Sequence, residues 1–209
     1  MNYEKFQPLL GEWAEFFKPF IESKEMDDIY SFLRYKFKQG AVICPDSRDV
    51  FRTFEETPKN ISVVIYAMDP YPTIKDGIKV ANGVPMDCRN TGILQPSLDK
   101  FYEGIEKELF RGLKLNGWKS PDLRYLPAQG VMLVNSDLTV EAYKSGSHKG
   151  VWIKFQKYFI EEILNKYYKG LIFVLMGKNS LEVQEFIDEN VHYVYTCEHP
   201  VAASYAGRL

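Results

Sequence analysis

Four runs of mainly apolar residues have the length and the β-branched and aromatic content of buried strands. They lie at 61–66, 130–134, 171–176 and 191–196. Near-continuous apolar runs of this kind are typical of strands that are covered on both faces. They therefore predict the inner strands of a mostly parallel sheet.

Between these runs, apolar residues recur at helical spacing. The segments lie at 13–20, 29–37, 98–113, 152–163 and 180–187. Alternating strands and helices predict an α/β fold, in which a central four-stranded, mostly parallel sheet carries helices on both faces. Because 209 residues suit one domain, we expect a single domain over 1–209, with the N-terminal helices of 1–40 packed on it.

One long connection shows no hydrophobic period. Residues 73–96 are rich in Gly, Asn, Asp and Pro. A connection of this length inside a compact domain is usually functional. We therefore expect it to contribute to a site.

Two of the predicted strands end in a polar residue next to proline. Asp69 precedes Pro70 after the first run, and His199 precedes Pro200 after the last. The carboxyl ends of parallel strands meet at the edge where open α/β sheets place their sites. The pattern thus predicts an aspartate and a histidine at one edge, with a turn-capping aspartate and a structural histidine as the alternatives.

Composition restricts the class of protein. The chain is 45% hydrophobic, but no stretch approaches the ~20 apolar residues of a membrane span. Its first residues lack the pattern of a signal peptide, and its three cysteines form no C-x-x-C pair. We expect a folded protein with reduced thiols in a cytosol-like compartment, not at a membrane. The net charge of −2 requires any nucleic-acid binding to come from a local basic face.

Several short blocks, in this order and spacing, resemble the uracil-DNA glycosylase family. They lie at 67–72, 83–86, 95–98, 133–140, 147–149, 177–179 and 199–204. The likeness extends from about Cys44 to the end of the chain. Pro72 and the segments 83–85 and 199–203 are closer to the divergent poxvirus branch than to the bacterial and mammalian enzymes.

The resemblance implies two catalytic residues. Asp69 would stabilise the sugar cation and orient the attacking water, which is a task for an ionised carboxylate. His199 would donate a hydrogen bond to the uracil oxygen that gains charge as the bond breaks.

The resemblance also implies a set of substrate-binding residues. Asn135 would pair with the edge of uracil through its amide, although an Asx turn is the ordinary interpretation of such an asparagine. Tyr71 would exclude the methyl group of thymine, and Met68 belongs to the same block. Met86 stands where the family usually has a phenylalanine that stacks on the base, and a thioether covers a ring less rigidly.

Contacts to DNA are implied at five further positions. Ser97 and Ser204 match residues that bind phosphates, although Ser97 serves equally well as a helix cap. Lys178 could add a phosphate contact. Lys149 belongs to a basic stretch at 144–157, for which a solvated lysine face is an equal alternative. Ala203 replaces the leucine that the family inserts into the vacated base stack.

Two further differences from the family weaken the expected grip on duplex DNA. Val201 replaces a phosphate-binding serine, and the sequence stops at Leu209, where the family normally continues into another helix. Because Ala203 replaces the inserted leucine, extrusion of the base must rely on other residues or on partly open DNA.

The first hypothesis is a monomeric, monofunctional glycosylase that needs no metal or cofactor and removes uracil from DNA in base-excision repair. A proteinaceous inhibitor or a replication protein is an additional expected partner. The rival is a glycosylase-fold subunit of a replication assembly that binds DNA or protein with weak or no activity. Removal of a different base is a third alternative, suggested by Met86 and the altered 83–85 loop.

Overall fold

The computed structural model describes residues 2–113 and 116–205, except for the side chains of Ser204 and Tyr205. The strands are β1 (Ile43–Cys44), β2 (Val63–Ala67), β3 (Ile74–Lys75), β4 (Ile78–Lys79), β5 (Val131–Asn135), β6 (Val140–Glu141), β7 (Ile172–Met176) and β8 (Tyr193–Cys197). The α-helices are α1 (Gln7–Leu10), α2 (Ala14–Ile21), α3 (Lys24–Lys38), α4 (Arg52–Glu56), α5 (Pro96–Leu109), α6 (Ile153–Tyr158), α7 (Asn165–Tyr167) and α8 (Pro200–Tyr205).

Shorter helical segments join these elements. The 3₁₀ segments are Tyr3–Lys5, Gly11–Trp13, Ser47–Asp49, Pro127–Gln129 and Lys178–Phe186. A π-helical turn, Phe159–Leu164, connects α6 to α7, so the helix predicted over 152–163 changes its hydrogen-bonding pattern in the middle. The helix predicted at 180–187 is the 3₁₀ segment that begins at Lys178.

The central sheet confirms the predicted fold class. Its four strands have the order β5-β2-β7-β8, and every neighbouring pair is parallel. In this register Ala67 lies beside Asn135, and Met176 lies beside Cys197. The carboxyl ends of all four strands therefore meet at one edge, which brings Asp69, Asn135 and His199 into the same region.

Alternate residues of β2 enter two different hydrophobic clusters. Val64 and Tyr66 belong to an aromatic-rich core formed with α2, α4 and α6, where the rings of Phe17 and Phe155 stack at 4.9 Å. Ala67, with Ile65 packed beside it, belongs to a second cluster on the α5 side. Helices thus cover both faces of the sheet, as the apolar strands predicted.

The last strand differs from its prediction as a buried element. The side chains of Tyr193 and Tyr195 are 61% and 59% exposed. The reason is its place at the edge of the sheet, which the apolar character of tyrosine does not reveal. Two antiparallel pairs, β1 with β6 and β3 with β4, were not predicted, because two-residue strands leave no readable period.

A search of the described helices finds none that is both long and apolar enough to cross a membrane.

Candidate active site

A cavity of ≈ 530 Å³ opens at the carboxyl edge of the sheet. The predicted catalytic and substrate-binding residues all line it, together with one predicted DNA-binding residue. They are Met68, Asp69, Tyr71, Met86, Ser97, Asn135 and His199. The structure therefore brings together side chains from three strand ends and from the long 73–96 connection.

The Asp69 carboxylate is held by the loop that follows β6. Oδ2 accepts the backbone N–H of Gly146 at 2.6 Å, and the hydroxyl of Ser145 donates to both carboxylate oxygens at 3.1 and 3.2 Å. Burial raises the pKa of Asp69, while these two donors and the nearby His199 act in the opposite direction. Ser145 and Gly146 were missed, because nothing in the sequence reveals that they lie next to residue 69.

A second buried carboxylate, that of Asp137, lies near Asp69 and connects the end of β2 to the segment that precedes α6. The backbone N–H of Asp137 donates to the oxygen of Met68 at 3.0 Å. Its carboxylate accepts the N–H groups of Gly150 at 3.3 Å and Trp152 at 3.4 Å. Burial raises the pKa of Asp137 to about 7, and the negative charges of Asp69 and Glu182 add to this effect. The sequence did not predict Asp137 as a site residue.

His199 has a defined tautomer in its neutral form. Its Nδ1 accepts the backbone N–H of Val201 at 3.3 Å, so the proton lies on Nε2. Burial lowers the pKa of His199 and so favours the neutral imidazole, while the nearby Asp69 acts in the opposite direction. A Cβ on Gly177 would lie 3.1 Å from the Cβ of His199, so the glycine permits the histidine to pack closely against the end of β7.

Asn135 ends β5 with its side chain buried. The residue is 4% exposed, and its Oδ1 has no hydrogen-bond partner among the described residues. A buried amide oxygen without a partner costs free energy unless a ligand or water satisfies it. Its place in the wall of the cavity makes it available to a bound polar ring, which argues against a simple Asx turn.

Tyr71 is fixed by hydrogen bonds at the cavity wall. Its hydroxyl lies 2.6 Å from Oγ of Ser97 and donates to the backbone oxygen of Met86 at 3.4 Å. Burial raises the pKa of Tyr71 well above its ordinary value. The helix cap of α5 is Gln95, so the alternative interpretation of Ser97 as the helix cap is wrong. The phosphate contact of Ser97 stays a prediction.

Met86 lies in a loop whose backbone is specified by a buried acid. Its φ is 61°, in the left-handed region that favours glycine. The next residue, Asp87, is fully buried and accepts hydrogen bonds from Asn82 Nδ2 at 2.6 Å, Arg89 N at 3.0 Å and Leu123 N at 2.9 Å. These contacts fix the loop that presents the thioether to the cavity.

The other predicted DNA-binding residues whose side chains the structure describes do not line this cavity. Lys149 forms an ion pair with Glu182 at 2.7 Å, which fits the solvated lysine face, and Lys178 is exposed at the start of its 3₁₀ segment. Ala203 is 8% exposed and lines a separate apolar groove beside α5. The side chain of Ser204 lies outside the described residues. The DNA contacts of these four residues stay predictions.

Within the described ranges, no group of three or more His, Cys, Asp or Glu side chains is placed to hold a metal ion.

Comparisons with known proteins show which proteins this chain is similar to. The chain is 30% identical over 211 residues to uracil-DNA glycosylase of Campylobacter jejuni subsp. doylei, covering 100% of this chain and 87% of that protein. It is 34% identical over 192 residues to the protein of the same name from Proteus mirabilis, covering 90% and 78%. No protein-family model matches the chain.

Solved structures support the same likeness. The crystal structure of mimivirus uracil-DNA glycosylase matches with a TM-score of 0.83 and 27% identity, over 96% of this chain and 71% of that one. A mimivirus variant in complex with UGI matches with a TM-score of 0.82 and 27% identity, over 96% and 73%.

Proposed function

We propose that Asp69 and His199 catalyse the reaction of this chain, which belongs to the uracil-DNA glycosylase family and hydrolyses the N-glycosidic bond of uracil in DNA. One observation carries the assignment of residues. A carboxylate, an imidazole and an amide oxygen without a partner among the described residues line one cavity, although they come from three separate strand ends. The product is an abasic site, as expected for a step of base-excision repair.

Asp69 acts on the sugar side of the bond. Cleavage develops positive charge on the sugar, and a fixed carboxylate stabilises this charge and orients the attacking water. The donors Gly146 and Ser145 favour the ionised form and fix its orientation, so little reorganisation is needed when the bond breaks.

His199 acts on the base side of the bond. The leaving uracil becomes an anion whose carbonyl oxygen gains charge. A neutral imidazole with its proton on Nε2 can donate a hydrogen bond to that oxygen. The lowered pKa of His199 and the N–H that Val201 donates to Nδ1 both favour this form.

Asn135 and Tyr71 select the base. A planar amide can donate and accept along the edge of uracil, whereas the exocyclic amine of cytosine leaves one of these contacts mismatched. Tyr71 is held by its hydrogen bond to Ser97, and its role is to exclude the methyl group of thymine. Met68 and Met86 complete the walls, with Met86 covering the ring face.

The enzyme is favoured over a non-catalytic binding subunit. Curated relatives that match nearly the whole chain are named uracil-DNA glycosylases. We retain a proteinaceous inhibitor as a proposed partner, because a similar mimivirus protein was solved in complex with UGI. A replication protein stays a prediction from the sequence. The monomeric state, the cytosol-like location and the independence from metals also belong to this proposal.

Uracil release from a single-stranded oligonucleotide tests the assignment. We expect Asp69→Asn and His199→Ala each to lower the single-turnover rate by at least ~10²-fold, because each removes a group that acts on the transition state. Asp28→Asn, on the exposed face of α3, is the matched control and should leave the rate unchanged. Rates within about threefold of the unmutated protein for both site variants would contradict the proposed roles.

A further inference from the structure

A fully buried glutamine contacts the strand end that carries Asn135. Gln156 lies in α6 and is 0% exposed. Its Nε2 donates to the backbone oxygen of Asn135 at 2.9 Å and to that of Ser136 at 3.1 Å. The amide nitrogen of Gln156 therefore donates both of its hydrogen bonds at the end of β5, one of them to Asn135, which lines the cavity.

A tyrosine on the neighbouring strand fixes the orientation of this glutamine. Tyr66 in β2 is also 0% exposed, and its hydroxyl donates to Oε1 of Gln156 at 3.0 Å. Because the nitrogen faces two backbone oxygens, the opposite orientation of the amide would place its oxygen against these two acceptors and break both contacts. The side-chain polar atoms of this buried pair are thus all hydrogen-bonded.

Hydrogen bonds from Ser136 connect the end of β5, which carries Asn135, to the end of β2, which leads to Asp69. Ser136 donates its backbone N–H to the oxygen of Ala67 at 2.9 Å and its hydroxyl to that oxygen at 3.1 Å. Gln156 holds the outer end of β5, and Ser136 ties this end to the strand that leads to Asp69. The backbone oxygen of Asn135 is occupied by Gln156, while its Oδ1 is left without a partner among the described residues.

We propose that Gln156 and Tyr66 are positioning residues that hold the amide of Asn135 in the orientation that pairs with uracil. The inference rests on the proposed function, since it assigns Asn135 to the base. A site of this kind needs its polar groups fixed to within a fraction of an ångström, and a 1 Å displacement can cost about 10²-fold in rate.

A double-mutant cycle tests the proposal. We expect Gln156→Met, which keeps the volume but removes the amide, to lower the single-turnover rate of uracil release by about 10- to 100-fold. In an Asn135→Ala background the same change should cost less than about threefold, because the group that it positions is already absent. Equal losses in both backgrounds would overturn the proposal.

Two further variants separate positioning from stability. Tyr66→Phe removes one hydrogen bond and keeps the ring, so we expect a smaller loss, about three- to tenfold, that also disappears in the Asn135→Ala background. Gln184→Met, in the surface segment Lys178–Phe186, is the matched control and should leave the rate unchanged. A loss in Tyr66→Phe that persists without the Asn135 amide would count against the proposal even if Gln156→Met failed to fold.

A readout that does not need catalysis distinguishes this inference from the proposed function. The side-chain amide signals of Asn135, identified by their loss in Asn135→Ala, should shift or broaden in nitrogen-15 NMR spectra of Tyr66→Phe and Gln156→Met. The amide of Asn165, which donates to Phe186 O at 2.8 Å, should not change. Unchanged Asn135 signals would overturn the positioning role, whereas failure of the unmutated protein to release uracil would contradict the proposed function alone.

Discussion

Two buried carboxylates near the cavity differ in how their charge is satisfied. Asp69 accepts a short backbone hydrogen bond at 2.6 Å and a serine hydroxyl. Asp137 accepts two long bonds, at 3.3 and 3.4 Å, and lies in the field of Asp69. The shorter hydrogen bonds stabilise the ionised form of Asp69 more effectively than the longer ones stabilise that of Asp137. This difference suits a carboxylate that must be charged to act.

Asp137 makes stability depend on pH in a defined direction. Its folded-state pKa of about 7 lies above the ordinary 3.8, so its favourable contribution is complete below about pH 4 and is lost as the pH rises through 7. Asp137→Asn cannot ionise. Its free energy of unfolding, relative to that of the unmutated protein, should therefore rise by about 2 kcal/mol between pH 5 and pH 8. Urea denaturation at the two pH values measures this difference, and parallel curves would contradict the prediction.

Ser145 should influence the acid limb of the rate profile. Its hydroxyl is one of the groups that lower the pKa of Asp69 against the effect of burial. Without it, Asp69 should take up its proton at higher pH, so we expect Ser145→Ala to move the acid limb of single-turnover uracil release to higher pH. Ser120→Ala, in a remote turn, should leave the limb in place. An unshifted limb in Ser145→Ala would show that this hydroxyl does not control the titration.

At the scale of elements, the sequence predicts the sheet well because proline marks where its strands end. Asp69 and His199 could be placed at one edge from the residues that follow two apolar runs. Gln156 lies one helical turn after Trp152 and one before Ile160, so a glutamine inside an apolar stripe was a readable signal that was not used. The Ser145–Gly146 contact with Asp69 could not be predicted, because it joins segments more than 70 residues apart through tertiary packing.

The loop that carries Met86 depends on a glycine with no space beside it. A Cβ at Gly83 would lie 1.7 Å from the backbone oxygen of Asp49, and its φ of +91° is already unfavourable for other residues. Gly83→Ala must therefore displace one of the two segments. We expect a loss of about 2–4 kcal/mol in stability and a fall in affinity for free uracil, measured by denaturation and by inhibition.

Gly92→Ala is the matched control for this prediction. Its φ is also positive, at +65°, but no atom of the described residues lies within 4 Å of the added Cβ. We expect a loss of only about 1 kcal/mol and unchanged uracil affinity. Similar effects at the two positions would show that backbone strain, and not the contact with Asp49, governs the Gly83 loop.

At the scale of the whole molecule, the net charge provides no general attraction to DNA. The net charge is −2, and several lysines near the site are already paired with acids, including Lys149 with Glu182 and Lys144 with Glu141. Ala203 is buried and cannot enter a base stack from its observed position. Binding must then depend on substrate that is already partly open, so we expect faster turnover of uracil in single-stranded than in duplex DNA.

Ala202 offers a direct test of the effect of losing the leucine that the family inserts into the base stack. It is exposed at the rim of the cavity, next to the buried Ala203, so we expect a larger apolar side chain there to supply the wedge that Ala203 cannot. We expect Ala202→Leu to raise the rate on duplex uracil DNA by about three- to tenfold, with little change on single strands. Ala203→Leu, which adds the same atoms at a buried position, should lower stability without helping the duplex substrate. Equal changes on both substrates in Ala202→Leu would mean that base extrusion does not limit this enzyme.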